Sequence, residues 1–299
     1  MDTIIITGGA GFVGSNLIKK LRNIYKIYCF DDYSTSKNHY SYNLLENGIY
    51  QEDENLIYVS GHSKEIFEKF DNINPSIVFH FGEFSRIDRS WYEISTLMNS
   101  LQGTTKVIDY CHKKNALLVY SASSAIFSAE NGFQTSPYTW VKSTCVNLIK
   151  HYHEWFNMSY IITYFYNVYG EGQIEEGPYA TVLGIFEKQY KTQQNLTVVK
   201  PGTQSRCFTH INDITEGIIE CINCQDKFLN KDIPIGSEDN ISIIELAKKF
   251  VSDKEITYLE SRKGDRKESV KVLRDYLREN GWKCNTRLEE YINKIVKMK

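Results

Sequence analysis

Thr7-Gly8-Gly9-Ala10-Gly11-Phe12-Val13-Gly14 stands directly behind the apolar run Ile4-Ile5-Ile6. Glycines 9, 11 and 14 give a G-x-G-x-x-G spacing, and glycines 8, 11 and 14 give G-x-x-G-x-x-G. Without side chains the backbone turns sharply and approaches a phosphate closely, and the N-terminus of a helix expected from Ser15 stabilises the phosphate charge. Between a predicted strand and a predicted helix, this pattern is the signature of dinucleotide pyrophosphate binding, with Gly8, Gly11, Phe12, Val13 and Gly14 as cofactor contacts. About 20 positions on, an acidic residue should take the adenine ribose hydroxyls. Asp31 ends the second predicted strand and is well placed, with Asp32 as its rival. Neither Lys nor Arg follows immediately, which favours NAD over NADP.

Outward from this turn, strand-length apolar runs alternate with helix-length amphipathic stretches, the pattern of a parallel sheet wrapped by helices. Strands are expected at Ile4 to Thr7, Tyr25 to Phe30, Leu56 to Val59, Ser76 to Phe81, Leu117 to Ser121 and Tyr160 to Tyr164. Helices are expected at Ser15 to Asn23, Ser63 to Phe70, Tyr92 to Lys113 and Tyr138 to Phe156. The fold class is α/β, a doubly wound parallel sheet whose ligands lie at the carboxyl ends of the strands. Residues 1–170 form the dinucleotide-binding part, and 171–299 a smaller lobe interleaved with the sheet. In that lobe a helix is expected from Tyr179 to Lys191 and a strand at Thr197 to Val199. The charged tail from Leu273 to Met298 reads as a solvated helix broken at Gly281-Trp282.

Composition narrows the function. With 299 residues, 41% hydrophobic and a net charge of -2, the chain supports a large core but offers no broad basic surface for nucleic acid. No apolar run approaches the roughly 18 residues of a membrane span, and Met1-Asp2 leads into the first strand without a basic leader, so a cytoplasmic protein is expected. Seven scattered cysteines fit reduced thiols. Cys221 and Cys224 have the spacing of half a zinc site, but no second pair accompanies them and no metal is expected.

Tyr138-Thr139-Trp140-Val141-Lys142 puts a phenol and an ammonium one helical turn apart on one face, behind Pro137 at the helix start. A phenol is a poor base at neutral pH, and a neighbouring ammonium favours its phenolate, so Tyr138 can take a hydroxyl proton as hydride leaves the carbon. Tyr120-Ser121-Ala122-Ser123-Ser124 leaves the fifth strand at the same sheet edge, where a hydroxyl can bond the reacting oxygen.

With these residues the chain resembles the extended short-chain dehydrogenases/reductases, specifically the nucleotide-sugar epimerase/dehydratase family. Further matches run over almost the whole length: His80-Phe81-Gly82, Asn99-Ser100-Leu101-Gln102-Gly103-Thr104, Asn167-Val168-Tyr169-Gly170, Arg206 to Asp213, Arg262-Lys263-Gly264-Asp265 and Gly281-Trp282-Lys283. The resemblance implies NAD as cofactor, Ser123 as the partner of Tyr138, Lys142 on the nicotinamide ribose, and Phe81 and Asn99 near the cofactor. It implies a nucleotide-diphosphate sugar as substrate, met by Ser123, Ser124, Asn167, Arg206, Arg262 and Asp265. It also implies a homodimer built on the helices Tyr92 to Lys113 and Tyr138 to Phe156.

Family members share oxidation of the sugar at C4 and then diverge. The 4,6-dehydratases resemble one another in an Asp-Glu pair after the catalytic hydroxyl residue, and Ser124 and Ala125 stand there instead. A 4-epimerase needs no such pair, so it is the expected activity. A C4 dehydrogenase or 4-keto reductase is the alternative, and a non-catalytic dinucleotide sensor is the reading from another class. Several positions depart from the family pattern: His62 replaces an aspartate after the third strand, Phe127-Ser128 replaces a tyrosine-glycine after the serine stretch, Glu83 replaces a small or apolar residue after the fourth strand, and Cys207 replaces an aspartate. Glu83 reads either as an extra substrate or acid/base contact or, the preferred reading, as a solvated loop residue.

Overall fold

Alternate residues of the central strands bury apolar side chains on opposite faces. Ile5, Val78 and Leu118 belong to one core cluster, and Ile4, Ile6, Phe79 and Val119 to another. Burial on both faces is what a parallel sheet between two helical layers requires. The computed structural model describes residues 1–35, 48–264 and 276–297. Its strands in chain order are β1 (Thr3–Thr7), β2 (Lys26–Asp31), β3 (Ile49–Gln51), β4 (Leu56–Ser60), β5 (Ile77–His80), β6 (Leu117–Ser123) and β7 (Tyr160–Phe165). There follow β8 (Val168–Tyr169), β9 (Leu196–Val199), β10 (Ser205–Cys207), β11 (Thr209–His210), β12 (Lys231–Ile235), β13 (Asn240–Ser242) and β14 (Ile256–Leu259).

The main sheet runs β12-β7-β6-β5-β1-β2-β4-β3. All its pairings are parallel except β3 with β4. Chain order reverses between β1 and β5, and this switch point opens a crevice at the strands' carboxyl ends. The Ile94–Lys114 and Pro137–Phe156 helices cover the face that carries Ile5 and Leu118, and the Phe12–Leu21 and Ile211–Asn223 helices cover the other.

The second half of the chain is built into this sheet. β12 pairs with β7, and the Ile211–Asn223 helix packs its Ile214 and Ile218 beneath the central strands. A further apolar cluster, with Tyr169, Leu183, Phe186, Leu196 and Phe208, lies beside the cleft. The C-terminal tail departs from expectation over its described part, residues 276–297; residues 273–275 and Met298 lie outside the described residues. Leu277 is fully buried against the sheet layer, and Leu288, Ile292 and Ile295 are buried in the lobe. The tail's apolar stripe is therefore core, because its charges occupy only the opposite helix face.

Helix starts also shift. The first helix begins at Phe12, with Ser15 N–H donating to Gly11 O at 3.0 Å. The amides of Phe12, Val13 and Gly14 are thus its free first-turn donors. The expected Tyr179 helix begins at Val182, because the Thr181 hydroxyl accepts the Gly184 amide at 3.0 Å and caps it there.

Candidate active site

Two glycines of the first turn are there for close backbone approach. A Cβ on Gly14 would stand 2.3 Å from Gly8 O, and one on Gly8, whose φ is +65°, 2.5 Å from Gly82 N. The β1 turn and the loop after β5 are pressed together at the switch point, and only a backbone without side chains permits it. Gly8, Gly11, Phe12, Val13 and Gly14 line a single cleft of about 1510 Å³ along the sheet edge.

Asp31 closes β2 beside this turn. Its Oδ2 accepts Ala10 N–H at 3.0 Å and its Oδ1 accepts Tyr33 N–H at 2.8 Å. Burial is the dominant influence and, with Asp32 adding to it, outweighs these amides, so the carboxyl is pushed up to about 6. Asp32 lines the cleft too, but its Oδ1 accepts the amide and hydroxyl of Ser34 in a turn exposed to solvent. Asp31 is therefore the better placed of the two for ribose hydroxyls. His62 lines the same end, where its Nδ1 accepts Lys64 N–H at 3.2 Å.

Tyr138 and Lys142 sit in the first turns of the Pro137–Phe156 helix, which a reciprocal Ser136/Thr139 capping box and Pro137 start at this point. Both side chains face the sheet edge, line the cleft and are buried. Ser123 ends β6 in the same wall, its Oγ accepting Ala125 N–H at 3.2 Å. Phenol, ammonium and hydroxyl thus all line the cleft into which β6 delivers its carboxyl end. Phe81, Ser124, Asn167, Arg206 and Arg262 line the cleft as well. Asn167 Nδ2 donates to Cys207 O at 3.0 Å, Arg206 Nη1 donates to Ser205 O at 2.7 Å, and Arg262 lies 3.7 Å from Asp88. Asp265 lies outside the described residues.

The structure separates Asn99 from the cleft. Helical rotation leaves Asn99 exposed and turns Ser100 inward, where Ser100 lines the cleft and its Oγ accepts Phe84 N–H at 2.9 Å. Glu83 corrects a second expectation. Its side chain is only 3% exposed and forms an ion pair with Lys142. Its Oε1 accepts the Thr104 hydroxyl at 2.8 Å and the Tyr120 hydroxyl at 3.0 Å. The reason is position: three residues past the end of β5, at His80, the chain still runs inside the layer between sheet and helices. The available signal was a row of polar residues in otherwise apolar strands, since Thr7, His80 and Tyr120 are paired across β1, β5 and β6.

A family model described as the NAD dependent epimerase/dehydratase family matches residues 4–236. The chain belongs to this family. One relative, a putative UDP-glucose 4-epimerase of Methanocaldococcus jannaschii, is 25% identical, with 98% of this chain and 97% of that one covered. Another, a UDP-N-acetyl-alpha-D-glucosaminuronate decarboxylase of Bacillus cytotoxicus, is 27% identical over 81% of this chain and 77% of that one. Among solved structures, the UDP-glucose 4-epimerase of Thermus thermophilus in complex with NAD superposes with a TM-score of 0.83 at 18% identity, covering 99% and 98% of the two chains. Membership makes NAD the cofactor, and the residues fit it: a turn with no room for side chains, first-turn helix amides and a buried carboxylate at the end of β2.

Proposed function

We propose that this chain is an NAD-dependent nucleotide-sugar 4-epimerase acting through a transient 4-keto sugar. Tyr138 takes the proton of the C4 hydroxyl, Ser123 hydrogen-bonds the same oxygen, and Lys142 favours the phenolate. Bound NAD supplies the carrier that accepts hydride from C4 and returns it. After the keto sugar presents its other face, Tyr138 gives its proton back to the same oxygen. The observation that carries this reading is the wall beside Tyr138: next to Ser123 stand Ser124 and Ala125, both buried and neither able to act as acid or base. Loss of water from a sugar needs a further acid and base, whereas epimerisation closes its proton cycle on Tyr138 alone.

Asn167, Arg206 and Arg262, with Asp265 beyond them, are assigned to the nucleotide diphosphate, because guanidinium forks match phosphate oxygens. The segment 171–299 then serves mainly as the substrate lobe. The relatives' names favour UDP-hexoses as the first substrates to try. A C4 dehydrogenase or 4-keto reductase uses the same three side chains and is separated from the epimerase by net redox change.

We further propose a cytoplasmic homodimer. The paired helices Ile94–Lys114 and Pro137–Phe156 expose Ile94, Trp140, Trp155 and Phe156, the kind of apolar surface that a second copy covers.

The test incubates purified protein with UDP-, GDP-, dTDP- and CDP-sugars, resolves products by NMR and follows bound nicotinamide at 340 nm. A C4 epimer without net NADH supports the reading. A 4-keto sugar accumulating with NADH, or turnover only from a keto sugar, replaces it with the dehydrogenase or reductase. In Tyr138→Phe, turnover falls at least about tenfold while NAD stays bound, and unchanged turnover removes Tyr138 from the mechanism.

A further inference from the structure

We propose that Glu83 is a positioning residue whose carboxylate holds Lys142 in place as a permanent ammonium beside Tyr138. The inference rests on the reading of Tyr138 as base and adds to it the group on which that base depends.

Lys142 is enclosed. Its ammonium pairs with Glu83 Oε2, donates to Ser121 O at 2.7 Å, and lies 5.0 Å from the centre of the Tyr120 ring. Two of its three donors are therefore engaged, leaving one for a ligand in the cleft. Burial on its own drives a lysine toward the neutral amine, by as much as about 3–5 pH units. A neutral amine has no field with which to favour a phenolate. Burial is the largest influence on Lys142, yet Glu83, followed by Tyr138, reverses it and leaves the ammonium above its ordinary range.

Glu83 is itself immobilised. Its amide donates to Phe81 O at 2.9 Å, and Thr104 and Tyr120 donate to its Oε1. Behind Thr104 stands His80, with Nε2 2.9 Å from Thr104 Oγ1 and Nδ1 2.6 Å from Thr7 Oγ1. The Thr104 hydroxyl has two acceptors, Glu83 Oε1 at 2.8 Å and Ser100 O at 3.1 Å; with its proton on the shorter bond to Glu83, Thr104 accepts from His80 Nε2 and Thr7 donates to Nδ1. Gly82 N–H, 3.2 Å from Thr7 Oγ1, completes the directed chain. The groups that bear on the pair are thus Tyr138 and Cys145 from its own helix, Tyr120 from β6, His80 from β5, and His62, which acts on His80.

The experiment uses NAD-loaded protein with lysines labelled at Cε, the Lys142 signal being identified by its absence in K142M. In the parent protein that signal keeps its ammonium shift past the ordinary lysine range, and in E83Q its midpoint falls by at least about two units. E83D, which keeps the charge, restores most of the difference. Turnover of E83Q then acquires a descending limb, absent from the parent at the same pH, that follows the lowered Lys142 midpoint. An E83Q midpoint within about half a unit of the parent's overturns the proposal. Should E83Q not fold, the uncharged pair E83Q/K142M decides. Folding of that double variant supports the proposal, because only a stranded ammonium then explains the single variant, and its failure to fold makes Glu83 a scaffold residue and overturns it. Loss of turnover in Tyr138→Phe together with an unmoved Lys142 midpoint sinks this inference alone. Full turnover in Tyr138→Phe sinks the reading beneath it.

Discussion

Thr7 and His80 face each other in the β1–β5 register and share a 2.6 Å hydrogen bond. His80 is wholly buried, and burial, its largest influence, pushes the imidazole down to about 4. The folded state therefore holds it neutral while the unfolded chain protonates it below about 6.5. Its contribution to stability is fully present above 6.5 and is lost as pH falls toward 4, by up to about 3 kcal/mol. His80→Gln should unfold more easily at pH 7 and show a flatter decline between pH 6.5 and 4 than the parent. Urea unfolding at a series of pH values reads both, and an unchanged slope refutes the assignment.

Asp31 has the opposite sign. Its folded carboxyl titrates near 6, above the ordinary aspartate range, so its burial opposes folding increasingly as pH rises from about 4 to 6. Ribose hydroxyls donated to Asp31 favour its ionised form, and binding below pH 6 then has to expel a proton. NAD affinity of stripped protein should fall as pH drops below about 6, by at most about tenfold per unit. Calorimetric titration between pH 5 and 8 measures it. Asp31→Asn should bind more weakly throughout and lose this dependence, and a dependence that survives the substitution places the titrating group elsewhere.

Gly14→Ala and Gly11→Ala should fail in different ways. At Gly14 the new methyl meets the backbone carbonyl of Gly8 at 2.3 Å, so the turn opens and the melting temperature falls along with NAD binding. At Gly11 it meets only Gly8 O at 3.2 Å on the cleft side, so the fold survives while NAD binding falls. Thermal unfolding without cofactor separates the two, and equal melting temperatures would contradict the steric argument.

Trp155→Glu puts a charge in the centre of the exposed aromatic group that includes Phe156, where His151 stacks on Trp155. Light scattering at micromolar concentration should report a dimer for the parent and a monomer for the variant. A parent that is already a monodisperse monomer removes the dimer proposal.

The first half of the fold was legible because each element carries one clear period. Three to five apolar residues in a row mark buried strands such as Ile4-Ile5-Ile6, and Pro137 marks a helix start. β12 was not legible: Lys231-Asp232-Ile233-Pro234-Ile235 is short, charged at one end and interrupted by a proline, which a strand tolerates only at a sheet edge. The pairs β8–β11 and β10–β13 are two or three residues long, too short to show any alternation. At the site, glycine spacing and the Tyr138–Lys142 interval are local and therefore readable. Glu83 was misread because its partners Thr104, Tyr120 and Lys142 come from three other elements. Asn99 was misplaced by a single residue, which on a helix is 100° of rotation.

The pairing of β12 with β7 gives the chain a late keystone. Until residues 231–235 have left the ribosome, the Tyr160–Phe165 strand presents an open row of amides and carbonyls flanked by fully buried Ile161 and Ile162. A nascent chain or proteolytic fragment ending near residue 200 carries the whole glycine turn and Tyr138–Lys142 pair, yet it leaves an adhesive seam that invites a neighbouring chain. The residues of redox chemistry and those that make the molecule safe in solution are thus synthesised at different times.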